Sequence, residues 1–226
     1  MDDVVASVVP GQFAAFLFDM DGTVINSIPA AERIWGDWAR RHGLDVAAFL
    51  PTIHGARAVD TIGRLGLPGV DAKAEALGIT LAEIDDVEGI VEIPGAAQFL
   101  NALPPAQWAI VTSAPRALAL KRLAAAGVPV PAVMVTADDV SAGKPDPACY
   151  ILAAQRLGVD VADCLVFEDA PVGIAAGVAS GAGVVVVTTT HHQPTATHHP
   201  TIHGYAHLAT RVGAGGLLEL RGAAAA

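Results

Sequence analysis

The sequence predicts an α/β fold, a doubly wound parallel sheet that carries a small inserted helical domain. Five short runs, Phe13–Asp19, Trp108–Thr112, Val133–Thr136, Cys164–Glu168 and Val184–Thr188, are apolar on both faces, as strands of a covered parallel sheet are. Helical segments of about ten residues lie between the later runs, in the strand–helix alternation of such folds. Between the first run and the second lie roughly 85 residues, too many for one crossover helix.

Taken in order, the first run ends in Asp19. A helix is expected over Pro29–His42, with Ile34, Trp35, Trp38 and Ala39 on one face and Arg33, Asp37, Arg40 and Arg41 largely on the other. Further helical segments are expected over Ala58–Leu65 and Val70–Leu77, and Pro94-Gly95 marks the return to the sheet. The insertion is therefore assigned to residues 27–93 and the α/β core to residues 1–26 and 94–226. In the core, the segments Ala117–Ala126, Pro147–Leu157 and Pro171–Ser180 stop at Gly127, Gly158 and Gly181. Two of them begin with Pro in the first turn.

Composition narrows the function. A chain of 226 residues that is 53% hydrophobic can bury one core with a modest insertion. The net charge is −10, and Lys73, Lys121 and Lys144 are the only lysines. Without a basic run there is no footprint for nucleic acid. Cys149 and Cys164 are too few for a disulfide framework or a thiolate metal site. The start Met1-Asp2-Asp3 lacks the basic region of a signal peptide. The stretch between Asp169 and Arg211 holds no charged residue, but glycines and a His- and Pro-rich segment interrupt it before a membrane span could form. No basic amphipathic helix is present to bind a membrane surface. The expectation is a cytoplasmic monomer.

The strand tips carry the chemistry. In an open parallel sheet, ligands bind beyond the carboxyl ends of the strands. Asp19 and Asp21 lie at the first tip, Thr112 and Ser113 at the second, Lys144 beyond the third, and Glu168 and Asp169 at the fourth. Four acids gathered around one ammonium repel by roughly 4 kcal/mol per close pair at an intermediate dielectric, so the cluster needs a cation or shared protons. An all-oxygen donor set selects a hard ion, with Mg²⁺ the default where phosphate adds further oxygens.

These residues also resemble a known family. Phe18-Asp19-Met20-Asp21-Gly22-Thr23, Thr112, Gly143-Lys144-Pro145-Asp146-Pro147 and Glu168-Asp169 are similar, in order and spacing, to the four motifs of the haloacid dehalogenase superfamily. Three further strings resemble its bacterial sugar phosphatases and its yeast-type deoxyglucose- and glycerol-phosphate phosphatases. They are His54-Gly55-Ala56-Arg57, Trp108–Ser113 and Phe167–Ile174, and the stretch Pro29–Leu44 is also close to the bacterial enzymes. The resemblance implies a Rossmann-like core with a helical cap and an Mg²⁺-dependent phosphomonoesterase acting on small sugar or polyol phosphates. Asp19 would be the nucleophile that forms an aspartyl-phosphate, and Asp21 the acid and then the base. Thr112 and Ser113 would bind the phosphoryl group, and Lys144 would neutralise it. Mg²⁺ would be held by Asp19, the Asp21 carbonyl and Asp169, with Glu168 as a ligand or a supporting residue. His54 and Arg57 are the candidates for substrate selection.

Two alternatives stand beside this reading. One is a β-phosphoglucomutase-like phosphotransferase, the other a sugar-phosphate binder without turnover. Ala31 stands where the sugar phosphomutases of the superfamily place a histidine, which favours hydrolysis. Asn26 and Ala114 also depart from the common pattern. His199, His203 and His207 are spaced by four, but Pro200 and Gly204 argue against the helix that would make them one metal-binding face.

Overall fold

The computed structural model describes residues 9–191 and 196–222. The acidic start at Met1, the residue His192 and the Ala223–Ala226 tail lie outside the described residues.

Strand β1 (Ala15–Phe18) is followed by the two-residue β2 (Ile25–Asn26) and then by four helices, α1 (Ile28–Arg41), α2 (Val46–Phe49), α3 (Ala58–Leu65) and α4 (Ala72–Asp85). The chain returns through β3 (Val91–Glu92) and α5 (Ala96–Asn101). It continues as β4 (Trp108–Val111), α6 (Arg116–Ala126), β5 (Val133–Val135), α7 (Ala148–Leu157), β6 (Cys164–Glu168), α8 (Pro171–Ser180) and β7 (Gly183–Val187). The final elements are β8 (Thr201–Ile202), β9 (Leu208–Val212) and β10 (Leu218–Gly222).

The main sheet has the order β5-β4-β1-β6-β7-β8. Its pairings are all parallel, with Phe16 opposite Trp108 on one side and Leu165 on the other. Alternate residues of one strand feed two cores. Phe16 and Phe18 pack with Phe99, Trp108 and Phe167 on one face, while Ala15 and Leu17 pack with Val111, Tyr150 and Val166 on the other. Burial on both faces is why these strands are apolar throughout.

The inserted helices hold a third core around Trp35, Trp38, Phe49, Ile62 and Ile79. β2 and β3 pair antiparallel at the base of the insertion, with Ile25 opposite Glu92. This pairing brings the two connections together. Asn26 lies there, and its side chain accepts the Ile28 N–H at the start of α1.

The expected strands and the core helices form within a residue or two of their predicted bounds. Helix α4 differs, running to Asp85 rather than stopping at Leu77. Leu77 and Leu81 point outward, 59% and 53% exposed, whereas Glu83 is buried. The polarity of this helix is therefore locally inverted, and its continuation could not be read from periodicity. The β9–β10 hairpin, α5 and the short β2–β3 ladder were also not expected. His199, His203 and His207 lie on no helix. No helix among the described residues is long and apolar enough to cross a membrane.

Candidate active site

Every charged strand tip lies at the carboxyl edge of the sheet. Asp19 follows β1, and a run of bonds to the Met20 carbonyl, from the N–H groups of Thr23, Val24 and Ile25, folds the chain into a tight turn directly after it. Gly22 sits in this turn at φ +88°, and a Cβ there would meet Asp169 Oδ2 at 2.0 Å. Only glycine lets the turn lie this close to the opposing acid.

Lys144 reaches the site from the loop after β5. Its Nζ donates to Asp19 Oδ1 at 2.6 Å, to Glu168 Oε1 at 2.7 Å and to the Val111 carbonyl at 3.2 Å. Burial acts against its charge, but the Asp19 and Glu168 carboxylates more than offset this and hold its pKa well above the usual lysine value. Asp19 is pushed up to about 7, first by burial and then by the Glu168 charge, with Lys144 acting in the opposite direction. Asp169 is driven well above the ordinary carboxylate range by burial and by the charges of Asp19 and Glu168. One ammonium among three buried acids leaves a deficit of positive charge.

Carboxylate oxygens of Asp19, Glu168 and Asp169 lie within 4.8 Å of one another. The donors are all oxygen and the cluster is short of cations, so the residues fit a hard divalent ion. Their engagement differs. Glu168 is bonded at both oxygens: Oε1 accepts from Lys144 and from the Tyr150 hydroxyl at 2.9 Å, and Oε2 accepts the backbone N–H groups of Asp169 and Ala170. Asp169 accepts only the Thr23 hydroxyl at 3.2 Å among the side chains described, and Asp19 only Lys144.

A cavity with an empty volume of about 710 Å³, including the solvent at its mouth, opens above these residues. Asp19, Asp21, Thr112, Ser113 and Asp169 line it from the core, and Trp35, Ile53, His54, Thr80 and Glu83 from the insertion. Ala31 also lines it. Thr112 Oγ1 accepts the Ala114 N–H at 3.1 Å, which fixes the side chain while leaving its hydroxyl proton for another acceptor.

Three contacts dock the inserted helices onto the core. The Ser113 hydroxyl donates to the Gly55 carbonyl at 2.8 Å. Gly55, at φ +76°, comes so near the start of α8 that a Cβ there would meet the Ala170 side chain at 2.6 Å. Arg57 forms the second contact. It pairs with Asp60 at 2.6 Å and donates to the carbonyls of Val140 and Ser141 in the loop that leads to Lys144. The third contact is a buried guanidinium: Arg122 Nη1 lies 2.9 Å from Asp21 Oδ1 and Nη2 lies 3.0 Å from Glu83 Oε1.

The structure thus gathers Asp19, Asp21, Thr112, Ser113, Lys144, Glu168 and Asp169, and places His54 on the cavity wall with Nε2 3.3 Å from Glu32. Arg57 does not line this cavity. It borders a smaller one beside Gly143 and Lys144. Sequence reasoning missed Tyr150, Arg122 and Glu83. A signal existed for Arg122, since it stands four residues after Leu118 and so on the buried face of α6. None existed for Glu83, because the helix was expected to end before it.

Comparison with known proteins agrees with this geometry. The family model for haloacid dehalogenase-like hydrolases matches residues 13–181. Hexitol phosphatase A of Escherichia coli (strain K12) is 43% identical over 183 residues, which cover 79% of this chain and 85% of that protein. Glycerol-1-phosphate phosphohydrolase 2 of Saccharomyces cerevisiae is 37% identical over 189 residues, covering 78% and 75%. Among solved structures, a hydrolase from Pseudomonas syringae superposes with a TM-score of 0.70 at 26% identity, covering 80% of this chain and 87% of that one.

Proposed function

Because the chain belongs to the haloacid dehalogenase-like hydrolases and is a phosphoric monoester hydrolase, we propose that it cleaves small sugar or polyol phosphates with Mg²⁺ through an aspartyl-phosphate on Asp19. The observation that carries this reading is the contact of Lys144 with both Asp19 and Glu168 beneath a cavity roofed by the inserted helices. The named substrates of the relatives support the substrate class.

Asp19 attacks phosphorus and the alkoxide leaves. Asp21, on the same turn and lining the cavity, supplies the proton to that oxygen and then takes one from the water that hydrolyses the aspartyl ester. Lys144 balances the nucleophile and the incoming phosphate dianion, and the Thr112 hydroxyl donates to a phosphoryl oxygen. Asp19, Asp169 and the Asp21 carbonyl would hold the metal. Glu168, bonded at both oxygens, keeps Lys144 and the Asp169 backbone in place. Bound Mg²⁺ supplies charge stabilisation to the phosphoryl oxygens. The inserted helices act as a cap that excludes water while substrate is held. Ala31 offers no side chain that could aid a second proton transfer, and this favours hydrolysis over mutation.

Phosphate release from hexitol and glycerol phosphates tests the reading. It should require Mg²⁺, stop with EDTA and return when the ion is restored. Isomerisation of a sugar phosphate without release of inorganic phosphate would overturn it in favour of the mutase.

Arg57 is assigned to docking the cap. Arg57→Ala should raise KM by the same factor, about three- to tenfold, for every ester tried, as expected on losing a few partly buried charge-assisted hydrogen bonds. A change confined to one ester would return Arg57 to substrate selection.

A further inference from the structure

The charges on the cavity wall define which substrates fit, and this inference rests on the phosphatase reading above. Arg122 is the only lysine or arginine that lines the cavity among the described residues. Both of its terminal nitrogens are committed, one to Asp21 and the other to Glu83. His54 faces Glu32. Beyond the phosphate position, then, a second anion on the substrate finds no uncommitted cation, and it meets the Glu83 carboxylate.

A hydroxyl meets the opposite situation. Glu83 is buried, 6% exposed, and accepts hydrogen bonds only. The Thr80 hydroxyl lines the same wall, on the same helix α4. A polyol hydroxyl donates and accepts, so it can serve both the Glu83 carboxylate and the Thr80 hydroxyl, while Trp35, Ile53 and Ile28 cover its carbon chain. The wall is therefore attractive to hydroxyls and repulsive to anions, the two components of specificity.

We infer that Glu83, held by Arg122, is a specificity-determining residue that selects phosphate monoesters whose remainder is hydroxylated and uncharged, and rejects those that carry a carboxylate or a second phosphate.

The test compares sorbitol phosphate with phosphogluconate, both phosphorylated at the terminal carbon and different only at the far end, together with a hexitol bisphosphate. With Mg²⁺ in excess, the wild type should favour the neutral ester in kcat/KM by on the order of 100-fold. Glu83→Gln frees one face of Arg122 for an anion and should bring the ratio below about ten, while Glu83→Asp should keep it high. Thr80→Lys adds one positive charge at a half-buried position of the same wall, one helical turn from Glu83, and so offsets the charge that repels the second anion. It should lower the ratio even if Glu83→Gln fails to fold. A wild-type ratio near one, or an unchanged ratio in folded Glu83→Gln and Thr80→Lys, would overturn the inference and leave the phosphatase reading intact. Hydrolysis of none of the esters would overturn both.

Discussion

Asp19→Asn should retain the fold and lose phosphate release by a factor on the order of 10⁴ or more, since the amide that replaces the proposed nucleophile cannot form the acyl-phosphate. Fold retention follows from the surroundings. The amide oxygen still accepts from Lys144, and Glu168 still balances the ammonium. The substitution also removes an electrostatic cost. The Asp19 carboxyl titrates near 7 in the folded chain against 3.8 when unperturbed. Between these values the folded state binds the additional proton, so the stability associated with this group falls as pH rises from about 4 to about 7. In metal-free buffer above pH 7, Asp19→Asn should therefore melt at or above the wild type. Phosphate release and thermal unfolding, measured on one preparation, check both halves. Turnover within tenfold of the wild type would exclude Asp19 as the nucleophile.

Lys144→Met carries the second large effect, and here stability and activity fall together. Removing the ammonium leaves the Asp19 and Glu168 carboxylates facing each other in a fully buried site. Breaking a buried ion pair from one side costs about 3–5 kcal/mol, which in a chain of this size is a drop of roughly 10 °C in Tm. Protons can substitute for the lost charge, so the deficit should be largest near pH 8 and shrink toward pH 5 as Asp19 becomes neutral. Turnover should fall by on the order of 10³-fold, because the dianion and the nucleophile are no longer balanced. Denaturant unfolding at the two pH values measures the first effect. A deficit independent of pH would mean that the loss comes from packing rather than charge.

The inserted helices show where periodicity stops being informative. Trp35 and Trp38 were legible as a buried face of α1, because they follow the spacing of that helix and pack with Phe49 in the core of the insertion. The end of α4 was not legible. Its leucines at positions 77 and 81 face outward and Glu83 faces inward, so the usual relation between hydropathy and burial is reversed there. That reversal is possible because Arg122 waits on the core to pair with Glu83, and a helix cannot announce a partner contributed by another element. Arg57 illustrates the same limit. Its position in the His54–Arg57 string pointed to the substrate, yet its guanidinium lies against Asp60 and the Val140 and Ser141 carbonyls.

By itself the sequence determined the parallel sheet, the inserted helical domain and the set of groups at the strand tips. These depend on local rules: a strand covered on both faces must be apolar throughout, and residues at its carboxyl end share one edge whatever the rest of the chain does. The tertiary structure alone decided how those groups are engaged. It bonded Glu168 at both oxygens while Asp19 and Asp169 kept one side-chain bond each, turned Arg57 toward the core loop and set Glu83 on the cavity wall against Arg122. The reason is physical. A buried charge takes its state from every neighbour within a few ångströms, and those neighbours come from segments far apart in the chain.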